Sequence, residues 1–304
     1  MIKLSVVIPS CRKSERLYLS LCSYINQTID PSLFEVIVIL NCDDIDSYKV
    51  CKGFEDRLNI KIFVTNQKGM SVSRNIGARL ATGSLLGFFD DDILLCPQYL
   101  DECFSKINNS NVRVVRAPVY ILYELKFFKD PWKGVPFDEF DTQIGINSPL
   151  RKALISPEII MDYWHIIQKK CTKLNRFERI VKFIFNCESD FSKAYTWMGF
   201  SGSGVIISDK LFWSVGGFDE QYDKSWGAES LDVGYKLMEK GAEFVNHQNI
   251  YSVHMDHPRS DSLDKMDEGF RRFYAKYNDT SILNILTLLT GTMDINEFLQ
   301  TLHD

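Results

Sequence analysis

Three aspartates in succession, Asp90, Asp91 and Asp92, interrupt an otherwise apolar stretch, LLGFFDDDILLCP (85–97). Two carboxylates about 6 Å apart repel by roughly 3 kcal/mol at an effective dielectric near 20, so water, basic side chains or a bound cation must offset the charge. Aspartates two apart on an extended or turning backbone can point the same way and offer oxygen ligands to a divalent cation. A cation held so also neutralises phosphate, and a metal bridge to a diphosphate is the chemistry that such a pair suits. The structural alternative is an acidic loop that caps the following helix.

Three further stretches carry residue types that do chemistry. In SVHMDHPRS (252–260), His254 and His257 lie three apart around Asp256, and three of the five histidines fall within residues 247–257. Neutral imidazoles at that spacing can ligate a metal, although a lone histidine is more often structural. In KGMSVSRNIGARLATG (68–83), Arg74 follows Gly69 and precedes Asn75 and Gly77, just ahead of the acidic strand. It can contact phosphates or hold the aspartates in place. In VGGFDEQYDKSWGAESLDVGYKLMEKG (215–241), a glycine pair ending at Gly217 and Trp226 precede Glu229 and Asp232. At i and i+3 these carboxylates share one helix face, either as a proton-transfer pair or as the solvated acidic start of a helix.

The elements that must position these groups follow from periodicity. Short runs at KLSVVIP (3–9) and FEVIVIL (34–40) read as buried strands and IKIFVT (60–65) and SLLGFF (84–89) as a third and a fourth strand, separated by helical patterns near 15–25, 47–57 and 72–81. That alternation implies a largely parallel sheet covered by helices on both faces. Ligands then bind beyond the carboxyl ends of the strands, which places Pro9–Arg12, Asn41–Asp44 and Asp90–Asp92 on one rim. A strand VRVVRAPV (112–119) follows. Residues 120–195 then lose the alternation and suggest a helical insertion or lid. Within it Lys169, Lys170, Lys173, Arg176, Arg179 and Lys182 alternate with apolar residues at near-helical spacing. Residues 165–185 therefore suit either an anionic membrane surface or a helix packed on the body with a solvated basic face. The strand–helix pattern returns over 196–260, and 261–304 read as a helical extension.

Bulk properties narrow the class. The 304 residues exceed the usual single core, so one large α/β domain with appendages is expected; the net charge of -5 argues against a nucleic-acid binder. The eight cysteines contain no C-x-x-C pair and read as reduced thiols. The apolar run at the N-terminus is too short for a signal peptide, and no stretch reaches the roughly 18 apolar residues of a membrane span. A cytoplasmic location is the simplest expectation, with peripheral contact at the inner face of the cell membrane if the basic helix is used so.

Taken together, SVVIPSCRKSERL, FEVIVILNCDD, GMSVSRNIGARLATG, FFDDD, GGFDE and WGAESLDVGYKL resemble, in order, the GT-A-fold glycosyltransferases of family 2, inverting enzymes with a D-x-D metal motif. The resemblance runs from residue 3 to about 260, but not through 120–195. It implies a nucleotide-sugar half over 1–119 and an acceptor or catalytic half over 196–260. It implies a nucleotide-sugar donor, usually a uridine diphosphate sugar, with Pro9, Ser10, Cys11, Arg12 and Asn41 at base and ribose. Asp90 would face ribose or sugar; Asp91, Arg74, Gly217 and Trp226 complete the donor set. Asp92 would bind Mn2+ or Mg2+, with His257, and His254 as the second candidate, supplying the imidazole. The family often reads W-G-x-E-D, whose aspartate deprotonates the acceptor; here Ser230 stands there, which leaves Glu229, then Asp232, as the base. The acceptor would be a polysaccharide, a lipid-linked oligosaccharide or a peptide. The rival readings are a nucleotide-sugar-binding scaffold without catalysis, which Ser230 would suit, and a nucleotidyltransferase-like enzyme, which the absent glycine-rich N-terminal loop opposes.

Overall fold

A computed structural model describes residues 1–107, 110, 112–187, 193–258 and 263–301. The first half alternates strictly: β1 (Leu4–Ser10), α1 (Ser14–Ile25), β2 (Phe34–Leu40), α2 (Ile45–Lys52), β3 (Ile60–Val64), α3 (Met70–Leu80) and β4 (Leu85–Phe88). β1 and β2 are buried at every position, as strands covered on both faces must be. Next come β5 (Ile93–Leu95), α4 (Tyr99–Ile107), β6 (Arg113–Arg116), β7 (Val119–Leu122), β8 (Phe128–Asp130), β9 (Val135–Pro136), α5 (Pro157–Met161), α6 (Trp164–Lys170) and α7 (Arg176–Asn186). The chain continues through β10 (Val205–Ser208), α8 (Asp209–Ser214), α9 (Glu229–Glu239), β11 (Glu243–Asn246) and β12 (Ser252–Met255). It finishes with the helices α10 (Leu263–Tyr277), α11 (Thr280–Thr290) and α12 (Ile295–Thr301). The expected boundary at 260/261 lies outside the described residues.

A seven-stranded sheet runs in the order β11-β6-β10-β4-β1-β2-β3. Every neighbouring pair is parallel except those of β10, which opposes both β4 and β6. This is the mostly parallel, helix-covered sheet that the alternation of residues 3–119 implies. β1 is flanked by β2 on one side and β4 on the other, so the strand order reverses there. The reversal opens a crevice at the carboxyl ends of β1 and β4.

A second sheet, β5-β12-β7, stands beside the first. The run VRVVRAPV, which periodicity reads as one strand, is divided between the two sheets. Pro118, which lacks an N–H, interrupts the ladder, and β6 joins the large sheet while β7 joins the small one. β12 lies between β5 and β7 and pairs His254 with Ile93. Residues distant in sequence thus meet at the acidic turn.

Helix α7 buries Glu178, Ile180, Val181 and Ile184 and exposes Arg176, Arg179, Lys182 and Phe183. Its apolar face joins Trp197, Phe270 and Phe273 in a cluster under the terminal helices. Among the described residues no helix is long and apolar enough to cross a membrane, and Cys11, Cys22, Cys42, Cys51, Cys96, Cys103 and Cys171 are free thiols.

Candidate functional site

The acidic trio forms the turn between β4 and β5, closed by the Ile93 N–H donating to the Asp90 carbonyl at 3.3 Å. Each carboxylate has a hydrogen-bond donor of its own, and Asp91 and Asp92 share Lys13, which answers the repulsion that the sequence poses. Asp90 accepts from Arg74 Nη2 at 2.8 Å and from the Ser203 hydroxyl. Asp91 accepts from the Ser10 hydroxyl at 2.7 Å and lies 3.6 Å from Lys13 Nζ. Asp92 pairs with Lys13 Nζ at 3.0 Å and with His257 Nε2 at 3.0 Å, while His254 Nε2 stands 3.6 Å from its Oδ1.

These environments push the two buried carboxyls apart. Burial raises Asp91 to about 6, only partly opposed by Lys13. Burial also acts on Asp92, but His254 and Lys13 override it and hold that carboxyl well below the usual range. Burial works against the Lys13 charge too, yet Asp92 and Asp91 prevail and raise its pKa.

The rim around the trio is pinned by short-range hydrogen bonds. Beyond β1 the chain turns through Arg12, whose φ of 57° lies in the left-handed region, and its N–H donates to Asp44 Oδ2 at 2.5 Å. Asp44 also caps α2 at the Ser47 N–H, 3.0 Å away, so the loops after β1 and β2 are held together. Beside them Cys11 is pushed up to about 12 by burial and by the neighbouring Cys42, and remains a thiol at neutral pH.

A cavity of about 360 Å³ opens over this rim, lined by Pro9, Ser10, Cys11, Asn41, Asp90, Asp91, Asp92, Trp226, His254 and His257. Lys13 and Met70, which sequence reasoning passed over, line it as well. Five expected site residues are not among the lining residues: Arg12, Arg74, Gly217, Glu229 and Asp232.

Arg74 nevertheless connects to the site. Its buried guanidinium joins Asp90 to Glu229, the latter at 3.4 Å, and rests over the Phe218 ring at 5.2 Å. Glu229, at the first turn of α9, also accepts from the Gly227 N–H at 3.0 Å. Asp232 lies one turn further along and is fully buried. It accepts from Lys276 at 2.8 Å and Tyr277 at 3.0 Å, with Lys236 at 3.3 Å, and ties α9 to α10. Gly217, at φ +68°, offers its carbonyl to Lys236 at 2.7 Å and supports the same region.

Two positioning residues have no motif to mark them. Asp223, in the turn before Trp226, caps α3 by accepting from the Ser71 and Val72 N–H groups at 2.7 and 3.0 Å. Gly69 permits this, since a Cβ there would lie 2.1 Å from the Asp223 carboxyl carbon. Arg16 is buried in α1 and donates to the carbonyls of Leu125, Phe128, Lys129, Met255 and Asp256, at 2.9 to 3.3 Å. It therefore fixes the segment that carries His257 and the start of the insertion. Its signal, an arginine one turn into the first helix, is too common to single out.

Asp92, His254 and His257 each present one ligand atom, all within 4.8 Å of one another. Asp92 Oδ1 is buried without a hydrogen-bond partner. His257 Nδ1 sits 2.7 Å from the Pro258 carbonyl, which assigns its proton there and leaves Nε2 a lone pair. An orphaned carboxylate oxygen and an imidazole lone pair aimed at one point fit a divalent cation.

The sequence profile of glycosyl transferase family 2 matches residues 5–165, more than half of the chain. The chain belongs to glycosyl transferase family 2. Among curated family-like relatives it is 28% identical over 265 residues to validoxylamine A glucosyltransferase of Streptomyces hygroscopicus subsp. limoneus, covering 84% of this chain and 52% of that one. It is 24% identical to chondroitin synthase of Pasteurella multocida (strain Pm70), covering 88% of this chain and 26% of that one. The family 2 chain thus spans about half, or less, of the length of these relatives. Its fold matches S. aureus TarS 1-349, solved with UDP-GlcNAc, at a TM-score of 0.56 and 16% identity over 90% of this chain and 66% of that one. It also matches the mannosyltransferase PcManGT of Pyrobaculum calidifontis, solved with GDP-Man and Mn2+, at a TM-score of 0.55 and 12% identity over 99% and 68% of the two chains. The α/β architecture is that of the GT-A glycosyltransferases.

Proposed function

We propose that the chain transfers a sugar from a nucleoside diphosphate donor, with uridine diphosphate as the expected nucleotide, to a hydroxyl acceptor in glycan synthesis, with inversion at the anomeric carbon. The observation that carries this reading is the meeting of Asp92, His254 and His257 on the wall of a cavity at the β1/β4 switch point. The donors bound to TarS and PcManGT support the donor class, and the Mn2+ of PcManGT supports a cation.

Asp92, His257 and His254 would hold Mn2+ or Mg2+, which when bound supplies charge neutralisation for the departing diphosphate. One carboxylate oxygen with two imidazoles suits Mn2+ better than Mg2+, which prefers oxygen ligands. Pro9, Ser10, Cys11 and Asn41 line the part of the cavity that the nucleoside would enter. Asp90, fixed by Arg74 and Ser203, presents a carboxylate to ribose or sugar hydroxyls.

Glu229 acts as the base: its carboxylate takes the acceptor hydroxyl proton as the new oxygen–carbon bond forms at the anomeric carbon. The bond from that carbon to the diphosphate oxygen breaks, and its electron pair leaves with the nucleoside diphosphate. Holding donor and acceptor in line supplies much of the acceleration. Residues 120–195 are the proposed acceptor-contacting region.

The test is release of nucleoside diphosphate from a panel of donor sugars with Mn2+, in the wild type and in Asp92→Asn. Turnover that requires Mn2+ and is lost in Asp92→Asn is the expected result. Full, metal-independent turnover in that variant would refute the cation site. Donor binding without turnover across a broad acceptor panel would favour the scaffold reading.

A further inference from the structure

Lys13 stands on the atoms that the cation site offers. Its Nζ lies 3.0 Å from Asp92 Oδ2, 2.9 Å from His257 Nε2 and 3.6 Å from Asp91 Oδ1. The His257 tautomer fixed by the Pro258 carbonyl makes Nε2 an acceptor, so the ammonium donates to the same lone pair that would ligate a metal. A divalent cation sits about 2 Å from its oxygen and nitrogen ligands, which leaves no room for an ammonium on the same atoms.

Lys13 can leave, unlike its basic neighbour. It precedes the first turn of α1, its side chain is 35% exposed, and it lines the cavity. Arg16 is held by its carbonyl acceptors and is buried, so it stays.

We propose that Lys13 is a displaceable counter-cation: it neutralises Asp91 and Asp92 in the empty site and gives up Asp92 and His257 when cation and donor enter, turning its ammonium to the donor diphosphate. This rests on the cation reading above. It makes the cation and the nucleotide bind cooperatively, because the lysine blocks the first and rewards the second. Metal affinity in the absence of nucleotide is reduced by the fraction of molecules in which the lysine holds the site. By linkage, the nucleotide must raise metal affinity by the same factor by which metal raises nucleotide affinity.

The experiment is calorimetric titration of Mn2+ into the full chain, with and without UDP, for the wild type, Lys13→Met, Lys13→Ala and Asp92→Asn. Without UDP, the two neutral Lys13 variants should bind Mn2+ about tenfold more tightly than wild type, as expected if the lysine holds the site nine-tenths of the time. UDP should tighten Mn2+ binding by a larger factor in wild type than in either variant. Thermal unfolding gives an independent reading: Mn2+ should raise the Tm of the neutral variants more than that of wild type. Lys13→Arg, which keeps the charge, should bind Mn2+ no better than wild type. Mn2+ affinity in Lys13→Met and Lys13→Ala equal to or weaker than wild type overturns the displacement while leaving the cation site intact. Mn2+ binding to Asp92→Asn as to wild type, or to none of the proteins with UDP present, overturns the cation site and the displacement with it.

Discussion

Arg74 touches two carboxylates to which the proposed mechanism gives separate tasks: Asp90 on the donor side and Glu229 at the start of α9. A guanidinium between them fixes both carboxylates in place, which a base and a hydroxyl-binding group both need. Asp232, one turn on, spends its oxygens on Lys276, Tyr277 and Lys236. The two carboxylates should therefore part company on substitution. Glu229→Gln should lose about 100-fold in kcat, the scale of general-base removal, with donor KM nearly unchanged. Asp232→Asn should instead lower stability by about 2 kcal/mol in urea unfolding, since it removes the buried charged acceptor that Lys276, Lys236 and Tyr277 share. The i, i+3 spacing that puts both on one helix face does not separate these roles; only the approach of α10 to Asp232 does.

The elements that carry the site are held by carboxylates placed across strand boundaries. Glu35, on β2, accepts from Ser5 on β1 at 2.6 Å and from the Thr82 N–H at 2.8 Å, and pairs with Lys61 on β3 at 2.7 Å. Burial pushes this carboxyl up, but Lys61, Ser5 and Thr82 win and hold it below its ordinary value near 4.5. A depressed carboxyl adds stability that is present above its unfolded value and is lost as pH falls through the folded one. Thermal unfolding from pH 7 downward should accordingly show a steeper loss for wild type than for Glu35→Gln once pH drops below about 4.5. The strands and helices of residues 3–89 are legible in sequence because β1, β2 and β4, buried on both faces, leave unbroken apolar runs. The small sheet is not. β5 and β12 are three and four residues long, too short for periodicity to register, and β7 is hidden behind Pro118 in a run that reads as continuous.

Across the whole molecule, helix α7 is joined to the sheet by a buried ion pair. Arg116 on β6 reaches both oxygens of Glu178 on α7 at 2.6 and 2.8 Å, and Glu178 also accepts from the Val119 N–H at 3.2 Å. Removing one partner leaves the other charged and buried. Glu178→Gln should thus cost about 3 kcal/mol in denaturant unfolding, and adding Arg116→Met should recover part of it. Sequence reasoning reads the basic stripe of α7 but not this acidic residue on its inner face, because a lone glutamate in a helix is ordinary until a buried arginine meets it. The same long-range pairing governs the proposed cation site: His254 and His257 meet Asp92 only because β12 fits between β5 and β7. A ribosome moving from the first codon to the last therefore makes the carboxylate long before the imidazoles. Nascent chains stalled before residue 250 would carry the acidic turn without either imidazole of the proposed site.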